Sequence, residues 1–166
     1  MARSIPVRTA TRKRASSAGI RSYQSALSFL DTVANYEKMA RIGYNASNFN
    51  LARMHRLLAA VGNPHKNLRS VHVAGTKGKG STCMMVASML GNCGMKIGLY
   101  TSPHLIDVRE RIQVNGEMIS EADFTRLMAR MAPLVKRPGR DEPTFFEIMT
   151  TLAFLYFVEK GVNDGK

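Results

Sequence analysis

Tryptophan is absent from this 166-residue chain, and cysteine is scarce, with only Cys83 and Cys93. Both cysteines fall in one expected helix. Ten residues on a helix rise about 15 Å, beyond the reach of a disulfide. The pair reads as small buried thiols in a reducing compartment. No apolar run is long enough to span a bilayer, and no secretory hydrophobic segment opens the chain, so no membrane partner is expected. Acids are missing from the start: Arg3, Arg8, Arg12, Lys13, Arg14 and Arg21 all precede the first acid, Asp31, and carry half of the formal net charge of +12. Residues 1–19 are also rich in Ser, Thr and Ala and lack apolar periodicity, which predicts a basic disordered tail. Such a stretch fits a mitochondrial or plastid transit peptide within residues 1–25, or a plain solvated tail on a cytoplasmic protein. The balance leans slightly to the tail. The charge left over is moderate and suits small anionic substrates as well as nucleic acid.

What the chain does contain is organised around Val71-His72-Val73-Ala74-Gly75-Thr76-Lys77-Gly78-Lys79-Gly80-Ser81-Thr82. A short alternating apolar run, predicted as a strand over residues 70–74, stops at a glycine-rich turn. A helical pattern over residues 80–93 follows, ended by Gly94. Strand, loop and helix in that order build a phosphate cradle. Gly75, Gly78 and Gly80 let backbone N–H groups approach an anion without a Cβ in the way. Lys79 is placed for β- and γ-phosphates, and Ser81 and Thr82 offer hydroxyls for Mg²⁺. The generic pattern G-x-x-x-x-G-K-[ST] is not met, because Gly80 separates Lys79 from Ser81. A turn that only reverses the chain is the competing reading. The agreement of strand, lysine, hydroxyls and helix argues against it.

Around the cradle, helices are predicted over residues 23–39 and 49–61, the second stopped by Gly62 and Pro64. Arg53, His55 and Arg56 read as a solvated basic face of the second. Met85 and Met89 of the cradle helix read as core filling. A second strand over residues 96–101, entered after one helix, predicts a βαβ unit and a parallel sheet. The loop Thr101-Ser102-Pro103-His104-Leu105 then faces the cradle. Asn115-Gly116 is a hairpin turn between residues 112–114 and 118–119. Ser120 and Asp123 cap a helix reaching about residue 131. A charged loop follows over residues 136–143. Residues 144–160 form the most apolar helix, predicted buried. Its Glu147 either closes a T-x-x-E capping box with Thr144 or holds Mg²⁺, and spacing alone leaves these even. A buried helix of this kind usually leads into another strand. None follows, so the chain reads as cut off inside a domain.

These motifs together resemble the folylpolyglutamate synthase and dihydrofolate synthase family of the Mur ligase superfamily. The likeness runs over residues 36–162. It rests on Phe49-Asn50-Leu51-Ala52-Arg53-Met54 with Gly62-Asn63-Pro64, on the cradle with Gly80 included, on Ser102-Pro103-His104-Leu105 with Glu110-Arg111-Ile112, and on Phe145-Phe146-Glu147. The resemblance implies an α/β, P-loop-containing Mur-ligase-like central domain with a parallel sheet, truncated before its C-terminal half. Residues 20–166 would be the N-terminal part of that domain, with the glutamate-binding C-terminal domain absent. It further implies that ATP is bound by Gly75, Thr76, Lys77, Gly78, Lys79, Gly80, Ser81 and Thr82, with Lys79 serving catalysis. Mg²⁺ would be held by Ser81 and Glu147, which tilts the balance at Glu147 toward metal. Ser102, Pro103, His104 and Arg111 would belong to a substrate loop closing over pterin and ATP. His104 would be structural or pterin-contacting, and Arg111 would help position an anionic substrate. The implied chemistry joins L-glutamate to dihydropteroate or a folate through an acyl phosphate. The full-length protein would be a monomer with no nucleic-acid partner, and the fragment alone would not turn over.

Two other classes are weighed. A different P-loop NTPase or phosphotransferase would share the cradle, but Gly80 and the Ser102-Pro103-His104 loop speak against it. A nucleic-acid-binding protein is suggested by charge alone, without a stacking aromatic motif. Removing residues 1–19 would abolish DNA retention under that reading and leave nucleotide binding intact under the ligase reading.

Overall fold

The computed structural model describes residues 19–33, 51–135 and 142–162. All but Gly19 of the tail expected over residues 1–19, the connector with Gly43, Asn45, Ser47 and Asn48, most of the loop over residues 136–143, and the last four residues lie outside that set. Five α-helices are described: α1 (Tyr23–Leu30), α2 (Leu51–Ala60), α3 (Lys79–Asn92), α4 (Glu121–Val135) and α5 (Phe145–Glu159). Three short strands join them: β1 (Gly98–Tyr100), β2 (Ile112–Val114) and β3 (Glu117–Met118).

Most helix starts are written locally. Ser22 accepts from the Ser25 N–H at the head of α1, and Ser120 Oγ accepts from the Asp123 N–H at 3.0 Å at the head of α4. Thr144 and Glu147 close the box that starts α5. Each such cap satisfies backbone donors that the first helical turn leaves without partners. The hairpin forms where Asn115 and Gly116 adopt φ of 50° and 83°, the left-handed pair that suits a two-residue turn. Asn115 also receives the Ile97 N–H on its side-chain oxygen at 2.8 Å, fastening the turn to the approach of β1.

The core lies where α4 packs between α1 and α5. Phe29 of α1, Phe124, Leu127, Met128 and Met131 of α4, and Ile148, Met149 and Leu152 of α5 are all buried there. Ile112 and Ile119 of the hairpin close one side. The apolar helix over residues 144–160 is buried as expected, and α4 runs four residues further than its sequence pattern suggested.

Four expectations are corrected. Residues 70–74 form no strand; they run as irregular, mostly exposed chain. A strand exists only through a paired neighbour, and among the described residues nothing pairs there. The βαβ unit with parallel pairing is therefore not formed among the described residues. The sheet order is β1-β2-β3 and both pairings are antiparallel, Leu99 opposite Gln113 and Gln113 opposite Met118. A short connection allows this, whereas parallel neighbours need a long crossover. The methionines of α3 are not core: Met84, Met85 and Met89 are 59, 58 and 61% exposed, because among the described residues only β1 packs closely on that helix. Nor are the cysteines buried; both are unbridged, with Cys83 half-buried and Cys93 exposed.

Candidate functional site

Two glycines with positive φ shape the loop, Gly75 at 155° and Gly78. Gly78 has φ 74° and ψ 0° as the N-cap of α3, a conformation that costs a Cβ-bearing residue about 1–2 kcal/mol. It turns the loop so that α3 begins at Lys79 and aims its N-terminal N–H groups at the loop interior. Lys79 folds back over that loop. Its Nζ donates to the Gly75 carbonyl at 2.7 Å and lies 3.4 Å from that of Thr76. Thr82 Oγ1 donates to the Gly78 carbonyl at 3.0 Å, so its hydroxyl is used within the helix. Ser81 sits exposed in the first turn. The ammonium is thus held over the glycine-rich turn by backbone carbonyl acceptors.

Glu147 realises the capping reading fully. Its Oε2 accepts from the Thr144 N–H at 2.7 Å, and its own N–H donates to Thr144 Oγ1 at 3.3 Å. It also receives Arg53 Nε, at 3.2 Å on Oε1 and 3.3 Å on Oε2. Here the sequence reading needs correction: Arg53 is no part of a solvated face but is 3% exposed between α2 and α5, while His55 and Arg56 are exposed. The two carboxylate oxygens offer about four acceptor positions, so these donors leave room for one more ligand. A hard divalent cation prefers oxygen donors, and the Glu147 carboxylate and Ser81 hydroxyl are of that kind. Among the described residues no hydrogen bond joins Ser81 to Glu147, and no cluster of three His, Cys, Asp or Glu is found. A cation here would depend on the nucleotide's own phosphate oxygens.

The segment over residues 102–111 is held from inside. The Glu110 carboxylate accepts from the backbone N–H groups of Leu105 at 2.7 Å, Ile106 at 2.9 Å and Asp107 at 2.7 Å. Those three donors, Leu105 foremost, hold the Glu110 carboxyl below the usual glutamate range. Leu105 and Ile106 stand at the tip, 91 and 93% exposed. At the base, Arg109 grips Asp107 with Nη2 to Oδ2 at 2.8 Å, and the Tyr23 hydroxyl donates to Asp107 Oδ1 at 2.6 Å. Arg109 holds the Asp107 carboxyl well below its ordinary value, and burial with Asp107 alongside pushes the Tyr23 phenol up. Helix α1 is thereby tied to the loop. The sequence reading missed this clamp, although Asp107-x-x-Glu110 is itself a capping-box spacing.

Arg111 does not present its charge to solvent. It is 2% exposed, its Nε donates to His104 Nδ1 at 2.8 Å, and its guanidinium carbon lies 5.1 Å from the centre of the Phe145 ring. It links the loop's end to the first turn of α5, two residues from Glu147. The structure thus brings together His104, Arg111 and the α5 terminus. Ser102 and Pro103 lie exposed at the loop's entry.

No family model matches the chain. It is similar to the dihydrofolate synthase/folylpolyglutamate synthase of Bacillus subtilis (strain 168), 49% identical over 112 residues, covering 66% of this chain and 26% of that protein. The solved structure of a folylpolyglutamate synthase from Thermotoga maritima superposes with a TM-score of 0.73 at 37% identity, over 85% of this chain and 31% of that one. A complex described as FPGS-AMPPCP-folate gives 0.72 at 31% identity, over 86% and 33%. The chain spans about a quarter to a third of the length of these relatives. With a glycine-rich loop feeding a helix and an antiparallel hairpin beside it, this is part of an α/β domain of Mur ligase type. Sequence and fold agree on the particular group: the chain belongs to the folylpolyglutamate synthase/dihydrofolate synthase family, matching one part of its members.

Proposed function

We propose that this chain carries the phosphate-binding part of an ATP-dependent ligase that adds L-glutamate to dihydropteroate or a folate. The observation carrying this reading is the loop over residues 75–82, with left-handed Gly78 starting α3 and Lys79 Nζ 2.7 Å from the Gly75 carbonyl. In the reaction, the substrate carboxylate attacks the γ-phosphorus of ATP and ADP leaves. The acyl phosphate then loses inorganic phosphate to the attacking glutamate amine, and an amide remains. Little covalent work falls to the protein, so positioning and charge neutralisation dominate. Lys79 and the amides of Gly75, Thr76, Lys77, Gly78, Gly80 and Ser81 would seat the phosphates, beside Thr82, whose N–H and hydroxyl both donate to the Gly78 carbonyl. Ser81 and Glu147 would hold Mg²⁺, which supplies charge neutralisation at the transferred phosphoryl group when bound. The Glu110 collar presents Leu105 and Ile106 as an apolar tip suited to a flat pterin ring. Arg111 and His104 support the loop from below.

The whole enzyme is read as a cytoplasmic monomer, or as a mitochondrial or plastid one if residues 1–25 are a transit peptide. A quarter of such an enzyme is expected to bind nucleotide without ligating. The test is a calorimetric titration of this chain with ATP and magnesium, repeated for Lys79→Met. Losing a charge-assisted contact worth about 1.5–3 kcal/mol should weaken binding roughly tenfold to a hundredfold. Absent binding, or affinity that survives the substitution, overturns the reading.

A further inference from the structure

We propose that Arg53 is the positioning residue of the carboxylate at Glu147: it fixes the plane in which that carboxylate meets a divalent cation. This rests on the reading of Glu147 as a cation ligand. Three observations support it.

The first is geometry. Arg53 Nε approaches both oxygens almost equally, at 3.2 and 3.3 Å, while the Thr144 N–H holds Oε2 alone at 2.7 Å. One donor at one oxygen leaves a carboxylate able to turn about its last torsion, which has a broad energy profile. A second donor shared between both oxygens restrains that turn and leaves one acceptor position for a further ligand.

The second is burial. The Arg53 side chain is 3% exposed and that of Glu147 13%. An apolar residue of similar volume would serve packing between α2 and α5 as well or better, because desolvating an ion pair offsets most of its attraction. The neighbouring contact, Thr151 Oγ1 to Met54 Sδ at 3.7 Å, shows that the same interface accepts an unbranched apolar side chain.

The third is the choice of cation. A lysine would bring the same charge on a flexible stem with rotatable donors, whereas the Nε–H of Arg53 is fixed in the plane of a rigid guanidinium. Arg53 also stands on a different helix from its partner, ninety-four residues away in the chain. The Nε–H shared between both oxygens therefore ties the first turn of α5 to α2, as an orienting partner behind a ligand does.

The experiment uses Mn²⁺ as a paramagnetic probe, titrated into this chain with a non-hydrolysable ATP analogue and followed by the signal of unbound Mn²⁺. Wild type, Glu147→Gln, Arg53→Met and Arg53→Lys are compared, with folding checked by circular dichroism and metal-free nucleotide affinity measured in EDTA. Expected are weaker Mn²⁺ binding in Glu147→Gln, a loss of about tenfold in Arg53→Met, within the range known for partners that orient metal ligands, and partial recovery in Arg53→Lys. Metal-free nucleotide affinity should not move. If Glu147→Gln binds Mn²⁺ like wild type, the ligand reading fails and this inference with it. If Glu147→Gln weakens binding but Arg53→Met matches wild type or binds more tightly, the inference alone is overturned. If Arg53→Met does not fold, Arg53→Lys decides: weaker Mn²⁺ binding supports the proposal, and wild-type binding refutes it.

Discussion

Replacing Gly98 by alanine probes how β1 is seated against α5. A Cβ built at Gly98 would lie 2.7 Å from both Cδ1 and Cγ of Phe157 and 2.9 Å from Cε1. Carbon atoms at rest stay about 3.5–4.0 Å apart, so the overlap is at least about 0.6 Å against three ring atoms. Phe157 is buried, and its Cγ is the root of the ring rather than a movable tip. The ring cannot turn the contact away; the strand or the helix must shift. Overpacking of this kind costs about 1–3 kcal/mol. At about 2–4 °C per kcal/mol for a chain of this size, the melting temperature should fall by roughly 2–12 °C. The control is Phe157→Leu in the same background. If the overlap is the cause, the double variant will be less destabilised than the sum of the singles by about 1 kcal/mol, since touching residues do not act additively. Thermal melts and urea unfolding read both quantities. A Gly98→Ala chain as stable as wild type, or strict additivity in the double variant, would refute the packing argument.

Two further outcomes follow from the loop. Its Glu110 carboxyl is held below the usual glutamate range, so the ordering it provides is complete above the ordinary pKa of about 4.3 and is lost only as pH falls below it; amide protection factors at Leu105, Ile106 and Asp107, taken relative to the intrinsic exchange rate at each pH, should fall on acidification below that value, and in Glu110→Gln at neutral pH, while unchanged protection would contradict the collar. Replacing Arg111 by leucine removes a charged donor from His104 and a cation from the Phe145 face, a loss of about 2–4 kcal/mol; urea unfolding measures it, and a loss under about 1 kcal/mol would show that Arg111 does not hold the loop to α5.

The parts of the fold that rest on nearby residues were legible in the sequence. Thr144 with Glu147, Ser120 with Asp123, and Asn115 with Gly116 each carry their instructions within four positions, and each forms. The start of α3 at the glycine loop was legible for the same reason. Features that depend on distant partners were not. Arg53 sits among His55 and Arg56 in the chain, and only the fold brings it to Glu147. Residues 70–74 have the alternation of a strand, but alternation cannot supply a neighbour to pair with. The α3 methionines have a core pattern, but burial requires something to cover them. Glu147 shows both limits at once: its capping role follows from spacing, and its pairing with a buried guanidinium does not.

The tip of the segment over residues 102–111 divides its labour unusually. All three bonds from Glu110 go to main-chain N–H groups, so none asks anything of the Leu105 or Ile106 side chains. The scaffold of the loop is indifferent to what those two positions carry. Exchanging them for other residues can therefore re-tailor the exposed apolar surface while the underlying curve of the chain stays as it is.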